Sequence, residues 1–209
     1  MKVPICETCA VALPNGIPCP NFWCGREDRG FDVVWAIGAH DGPLRRAIAG
    51  LKYRHEPWQA PVLGTLLAGW LLDHAPAFDD VELIVGVPGS AQRDHTRRIL
   101  KAAEARIGDL WPLDADNEVL GKRAETRTMV STHSSAVRRL WAAGDLRNSL
   151  RIVDVAAVEA RRVLAVDDVF TDGSTMREVA LALRAAGAAS VSGLVLARQP
   201  MRPGKQNRW

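Results

Sequence analysis

The chain has 209 residues, of which 47% are hydrophobic and 24% are charged, and its formal net charge is +3. These proportions are typical of a folded globular protein and exclude an intrinsically disordered chain. The small net charge excludes a polycationic nucleic-acid binder, although it is compatible with a local basic patch.

The start of the chain does not have the pattern of a signal peptide, because cysteines stand where the apolar region of such a peptide would lie. The longest apolar stretch, residues 62–72, is shorter than the roughly 20 residues that cross a bilayer. We therefore expect a cytoplasmic protein without a membrane span. Thiols stay reduced in the cytoplasm, so clustered cysteines favour a metal site over disulfides.

Residues 1–30, which we call the cysteine element, contain all four cysteines and four of the twelve prolines but no helical periodicity. The cysteines have the spacing C-x2-C, nine residues, C-x4-C, and the first pair has the standard spacing of a metal site. Four thiolates in this arrangement predict a closed tetrahedral zinc site with a structural role, with iron or free buried thiols as the alternatives. The predicted ligands are Cys6, Cys9, Cys19 and Cys24. The element has too few apolar side chains to build a core, so we expect zinc to stabilise it.

From residue 31 onward, short apolar runs alternate with segments of helical periodicity. The predicted strands are 31–39, 82–87, 161–166 and 190–197, and the predicted helices are 44–53, 61–74, 93–107 and 174–186. Residues 108–150 are ambiguous apart from helix signals near 134–143. The alternation predicts an α/β domain over 31–197, with a mostly parallel sheet flanked by helices, followed by a loose polar tail over 198–209.

The most informative stretch is 163–175, where an apolar strand runs into Asp167 and Asp168 and a short polar loop then begins a helix. Ligands bind at the carboxyl end of strands in an open parallel sheet, and free N–H groups at the next helix N-terminus hold anions. Gly173 allows close approach of the backbone, and the hydroxyls of Thr171, Ser174 and Thr175 are further donors. The two carboxylates suit sugar hydroxyls or a divalent cation. A phosphate next to a vicinal diol describes a ribose 5-phosphate.

A purely structural interpretation of the same stretch is an ordinary capped helix. Thr175 and Glu178 have the spacing of a capping box, and Asp172 is a good N-cap residue.

The run 163–175 resembles the phosphoribosyl pyrophosphate motif of type I phosphoribosyltransferases. The resemblance implies that Asp167 and Asp168 are the catalytic pair and bind the ribose hydroxyls. It also implies that the 5′-phosphate is held by Thr171, Asp172, Gly173, Ser174 and Thr175. Asp172 stands where the family usually has a small hydroxyl residue, and its carboxylate is expected to weaken phosphate binding unless it points away or caps the helix.

More of the chain is similar to the ComF-type proteins, which join a four-cysteine, zinc-ribbon-like element to a phosphoribosyltransferase-like domain. The similarity covers the cysteines, residues 43–53 and residues 87–97. It implies a pyrophosphate loop made of Val87, Pro88, Gly89 and Ser90, with Arg93 and Arg97 as its basic residues. A plain turn before a solvated basic helix is the alternative. The chain departs from the family after Arg97, where Arg98-Ile99-Leu100 replaces the usual Gly-Phe-Asn.

A basic segment from Lys122 and Arg123 to Arg139 stands where the family has a mobile loop that closes over the substrate. A solvated run of charges is the alternative interpretation. Lys52 is unremarkable as a cation at a helix end, and no histidine has the spacing of a metal ligand or the partner of a nucleophile.

The resemblance supports two functions. The first is an enzyme that uses phosphoribosyl pyrophosphate and Mg²⁺ to transfer ribose 5-phosphate to or from a nitrogenous base. The second is a weak or silent relative that binds phosphoribosyl pyrophosphate or single-stranded DNA in DNA uptake (competence), with DNA-uptake proteins as partners. Asp172 and the missing Gly-Phe-Asn favour the second function.

Overall fold

A computed structural model describes residues 3–13, 17–89, 94–122, 144 and 146–200, and every structural statement below concerns these residues. The strands are β1 (Val34–Ala39), β2 (Leu83–Gly86), β3 (Leu113–Asp114), β4 (Leu120–Lys122), β5 (Leu150–Ile152), β6 (Arg162–Phe170) and β7 (Ser190–Arg198). The α-helices are α1 (Gly42–Tyr53), α2 (Gln59–Asp73), α3 (His95–Ile107) and α4 (Ser174–Ala185). The predicted helix signals near 134–143 lie outside the described residues.

The strands form a five-stranded parallel sheet in the order β1-β7-β6-β2-β3, and β4 and β5 form a separate antiparallel pair. Successive residues of β6 belong to different cores, as the period of two in a strand requires. Val163 and Ala165 pack with α4 and the cysteine element, whereas Leu164 and Val166 pack beneath α1, α2 and α3. The sheet is therefore covered on both faces, and the predicted α/β class is confirmed.

The ends of several elements follow from simple local chemistry. Helix α1 begins after Asp41, whose carboxylate accepts a hydrogen bond from the Gly42 N–H, with Pro43 in the first turn. Helix α4 ends just before Gly187, which has a φ of 94°. The stop that the sequence predicts at Gly187 is confirmed.

Strand β6 is longer than predicted, and this difference matters for the site. Its pairing with β2 ends where Val166 lies opposite Gly86, but its pairing with β7 continues until Phe170 lies opposite Arg198. The acidic pair therefore lies within the strand, beyond the end of its shorter neighbour. Arg198, which the sequence assigned to the loose tail, is instead the buried last residue of β7; residues 201–209 lie outside the described residues.

The cysteine element packs directly on the α/β domain. Cys6, Cys9, Val11 and Trp23 lie in the same hydrophobic core as Val179 of α4. The segment before residue 30 therefore contributes to the core on the α4 side of the sheet.

Candidate functional site

The carboxyl ends of β2 and β6 lie side by side at a point where the chain reverses its direction of winding. Strand β6 continues through α4 to β7 on one side, whereas β2 continues through α3 to β3 on the other side. Such a point leaves a crevice outside the strand ends, which is where open α/β sheets bind ligands. Residues 167–175 and the start of α3 meet there.

Asp168 is the buried centre of this edge, with 3% of its side chain exposed. Its Oδ2 lies 2.6 Å from Nζ of Lys52, at the end of α1, and 3.4 Å from Nε2 of His95, the first residue of α3. Burial disfavours the charged carboxylate, but Lys52 and His95 outweigh burial and lower the pKa of Asp168. Burial likewise opposes the charge of Lys52, and the neighbouring Asp168 carboxylate raises the pKa of Lys52. The two groups form a buried, ionised pair.

Asp167 has the opposite electrostatic character. Its side chain is half-buried, and its Oδ1 accepts a hydrogen bond from the Asp168 N–H at 2.8 Å. Burial, followed by the negative charge of Asp168, raises the pKa of Asp167 well above its ordinary value. The pair thus combines an ionised carboxylate with a carboxyl group that holds a proton more tightly, so it has both an acceptor and a donor for a vicinal diol.

The backbone of the 171–175 loop packs closely against Phe170 at Gly173. Gly173 has a φ of 92°, and a Cβ added to it would lie 2.5 Å from Cζ of Phe170, so only glycine fits there. The Oγ of Ser174 is buried and has no hydrogen-bond partner among the described residues. A buried hydroxyl at a helix N-terminus suits an anionic oxygen.

The predicted capping box at Thr175 and Glu178 is wrong. The N-cap residue of α4 is Gly173, without a side-chain cap, and Glu178 is fully buried. Its carboxylate accepts hydrogen bonds from Arg177 (2.5 Å) and Arg147 (2.8 Å) because it faces the domain interior and needs charged partners there.

The side chain of Asp172 forms a hydrogen bond within the loop. Its Oδ1 accepts a hydrogen bond from the Ser174 N–H at 3.0 Å. The carboxylate therefore occupies one of the backbone donors that an incoming phosphate would use.

The candidate pyrophosphate loop starts beside the acidic pair. The Val87 N–H donates to the Val166 carbonyl at 2.8 Å, and Pro88 and Gly89 follow. Ser90 and Arg93 lie outside the described residues. Arg97 pairs with Asp116 at 2.9 Å. Of the predicted mobile segment, Lys122 ends β4, and residues 123–139 lie outside the described residues.

Lys52 and His95 are the functional residues that the sequence analysis missed. Both contact Asp168, and both line a cleft of about 420 Å³. The lining residues of the cleft are Leu51, Lys52, Tyr53, His55, Pro57, Asp94, His95 and Arg98. The sequence contained one signal for His95, which stands at the start of a helix soon after a strand that was predicted to run parallel to β6. No local pattern connects Lys52 to the acidic pair.

The four cysteines form a compact cluster whose sulfur atoms all lie within 4.8 Å of one another. The Sγ atoms of Cys9 and Cys19 are 3.7 Å apart, and those of Cys6 and Cys24 are 3.9 Å apart. A tetrahedron with zinc–sulfur bonds of about 2.3 Å has sulfurs roughly 3.8 Å apart, so the cluster fits zinc.

Burial and nearby groups shift the pKa values of two of these thiols in opposite directions. A hydrogen bond from the Cys24 thiol and the nearby Arg198 guanidinium lower the pKa of Cys9 to about 5. Burial raises the pKa of Cys19 to about 12. A divalent cation held by all four sulfurs would favour the thiolate form of each.

Comparisons with known proteins agree with this fold. Residues 119–209 match the family described as "Phosphoribosyl transferase domain". The chain is 28% identical over 201 residues to "DNA utilization protein YhgH" of Escherichia coli O157:H7, which covers 93% of this chain and 84% of that protein. It is 27% identical over 202 residues to the protein of the same name from Escherichia coli O6:H1, with the same coverage. These matches confirm the resemblance predicted from the sequence. No helix in the described ranges is long and apolar enough to cross a membrane.

Proposed function

We propose that this chain, which carries a phosphoribosyltransferase domain and is homologous to DNA utilization protein YhgH, binds phosphoribosyl pyrophosphate at the carboxyl edge of β2 and β6. It transfers ribose 5-phosphate to or from a nitrogenous base. The observation that carries the proposal is the acidic pair placed two residues before a glycine-containing loop whose Ser174 hydroxyl is buried and without a partner among the described residues.

Each group has a defined task in this proposal. Asp167 and Asp168 bind the ribose 2′ and 3′ hydroxyls, and the 171–175 loop binds the 5′-phosphate. Lys52 and His95 hold Asp168 ionised and in place. Mg²⁺ that enters with the substrate would neutralise charge on the departing pyrophosphate. The protein contributes mainly by positioning the substrate and stabilising charge at the ribose.

A product assay tests the transfer. The protein is incubated with phosphoribosyl pyrophosphate, Mg²⁺ and a panel of purine and pyrimidine bases, and pyrophosphate and nucleotide are measured. We expect base-dependent release of pyrophosphate that is lost in Asp167→Asn/Asp168→Asn. If the protein binds phosphoribosyl pyrophosphate but no base causes release of pyrophosphate, the enzymatic role is contradicted and a binding protein without catalysis is favoured.

We also propose a structural zinc ion at Cys6, Cys9, Cys19 and Cys24, on the basis of the sulfur spacing. Elemental analysis should find one zinc per chain in the wild type and a marked loss in Cys9→Ser.

The boundary near residue 30 stays a prediction, and limited proteolysis of Cys9→Ser tests it. If the α/β domain folds independently, proteolysis should release the first 30 or so residues and leave a stable fragment.

The second candidate function is binding of single-stranded DNA. The relatives' name, DNA utilization protein, favours a link to DNA, and a surface beside the cleft favours binding of a single strand. Tyr53 and Trp58 are each 62% exposed, and Arg45 and Arg46 are exposed on α1. Between the two aromatic residues lie His55 and Arg54, which pairs with Glu56 at 2.9 Å. Exposed aromatic rings among cations stack on bases and attract the backbone.

Fluorescence anisotropy with a labelled single strand tests this second function. We expect affinity that falls as salt rises and that weakens in Tyr53→Ala/Trp58→Ala, because each stacked base contributes about 1–3 kcal/mol. Leu110→Ala is the control, since Leu110 is 78% exposed in the short 3-10 helix after α3 and does not line the cleft. Absence of salt-dependent binding would remove this candidate.

A further inference from the structure

Arg198 links the cysteine cluster to the start of the 171–175 loop. Its Nε donates to the Cys9 carbonyl at 2.9 Å, and its Nη2 lies 3.6 Å from the Cys9 Sγ. Its Nη1 donates to the carbonyls of Phe170 at 3.0 Å and Thr171 at 2.8 Å, and also to that of Gln199. Only 8% of Arg198 is exposed, so these hydrogen bonds are protected from water. One buried guanidinium therefore joins a predicted metal ligand to the loop.

Asn21 provides a second link, at the middle of the loop. Its Nδ2 donates to the Asp172 carbonyl at 3.0 Å, and its Oδ1 accepts from the Trp23 N–H at 2.9 Å. Asn21 lies between Cys19 and Cys24, so the turn that brings these two cysteines together also aims its amide at the loop.

Arg177 provides a third link, in the first turn of α4. Its Nε and Nη2 donate to the main-chain carbonyl and the carboxylate of Asp28, both at 3.0 Å. Its guanidinium also stacks over the Trp23 ring, with 4.5 Å between Cζ and the ring centroid. The cysteine element thus reaches the start of the loop through Arg198, and it contacts the middle of the loop and the helix that follows directly.

These contacts have a direct consequence for the loop's donors. In a trans peptide the C=O and the N–H of the next residue point in opposite directions. Because the Thr171 carbonyl is held toward Arg198 and the Asp172 carbonyl toward Asn21, the N–H of Asp172 points away from Arg198 and the N–H of Gly173 points away from Asn21. A purely structural metal site would need only apolar contacts with the core, whereas these polar contacts fix two adjacent peptide planes.

We infer that the cysteine element orients the 171–175 loop, so that the loop reaches its full affinity for the phosphate of its ligand only while the four cysteines hold their metal ion. Arg198 and Asn21 are positioning residues in this arrangement. The metal holds Cys9 and the 19–24 turn, and these in turn hold Arg198 and Asn21. The ligand part of the inference rests on the proposed function, whereas the ordering of the loop does not.

Hydrogen–deuterium exchange of the full chain tests the ordering of the loop. Asn21→Ala keeps all four cysteines, so its zinc content should equal that of the wild type. We expect faster exchange in the peptide covering 171–175 in Asn21→Ala, and faster exchange still after metal removal by a chelator. Arg184→Gln is the matched control, because Arg184 also joins α4 to the cysteine element at Gly30, and to Asp32 just after it, but has no hydrogen bond to the loop. Exchange at 171–175 should be unchanged in this control.

Titration with ribose 5-phosphate tests the effect on the ligand. Loss of one hydrogen bond that positions the loop should weaken affinity about five- to tenfold in Asn21→Ala and leave Arg184→Gln at the wild-type value. Equal exchange at 171–175 in wild type, Asn21→Ala and chelated protein would overturn the inference, and so would equal effects of Asn21→Ala and Arg184→Gln. If the zinc-loaded wild type does not bind ribose 5-phosphate, the proposed function fails, and the exchange data still decide whether the element orders the loop.

Discussion

Replacing Lys52 by Met should strongly destabilise the protein, because it leaves the buried charge of Asp168 without its nearest partner. The carboxylate is 3% exposed and lies 2.6 Å from the ammonium. Removing one partner of a buried ion pair costs about 3–5 kcal/mol. His95 stays 3.4 Å from the same oxygen and can share the charge, so we expect the lower end, about 3 kcal/mol.

Urea unfolding followed by tryptophan fluorescence measures this cost, and two controls define its cause. Lys101→Met breaks an ion pair with Asp116 of similar length, 2.5 Å, but both side chains are nearly half exposed, so it should cost less than about 1 kcal/mol. The double variant Lys52→Met/Asp168→Asn removes the orphaned charge and should regain roughly 2 kcal/mol relative to Lys52→Met alone. A cost for Lys52→Met no larger than that for Lys101→Met would refute the buried, ionised pair.

Three further predictions concern the acidic pair and the loop. Asp167→Asn should raise the melting temperature near neutral pH. Because the pKa of Asp167 is raised in the folded state, the wild type loses stability as pH rises above 3.8, whereas the variant does not. The melting temperatures of the two proteins should therefore converge in acid. Asp172→Thr should strengthen ribose 5-phosphate binding about fivefold in a calorimetric titration, because it removes a carboxylate that occupies the Ser174 N–H; unchanged affinity would show that this donor is not used. Gly173→Ala should cost about 2 kcal/mol in urea unfolding, because its φ is 92° and the new methyl would meet the Phe170 ring at 2.5 Å; a neutral result would contradict the tight loop.

The parts of the fold that depend on local patterns could be predicted from the sequence. Apolar runs with turn residues at their ends predicted the parallel sheet, and the acidic pair lies near the carboxyl end of β6, although within the strand and not after it. The extension of β6 to Phe170 could not be predicted, because it depends on β7 continuing to pair beyond the end of β2. The short strands β3, β4 and β5 have two or three residues each, too few to show any periodicity.

The partners of the site residues depend on contacts between distant parts of the chain. Lys52 and His95 reach Asp168 from two different helices, and only the packing of α1 and α3 brings them there. Arg198 looked like part of a polar tail, but its guanidinium satisfies buried carbonyls on both the cysteine element and the loop. The capping-box prediction failed because Glu178 had stronger partners in two arginines.

The central claim is that Asp167 and Asp168 bind the ribose of phosphoribosyl pyrophosphate, and calorimetric titration with this compound and Mg²⁺ tests it most directly. The matched control is Asp79→Asn/Asp80→Asn, an exposed acidic pair just before β2, at the opposite end of the sheet. The wild type and this control should bind with the same affinity, and Asp167→Asn/Asp168→Asn should lose binding. Unchanged affinity in Asp167→Asn/Asp168→Asn, or no binding by the wild type at millimolar ligand, would contradict the claim.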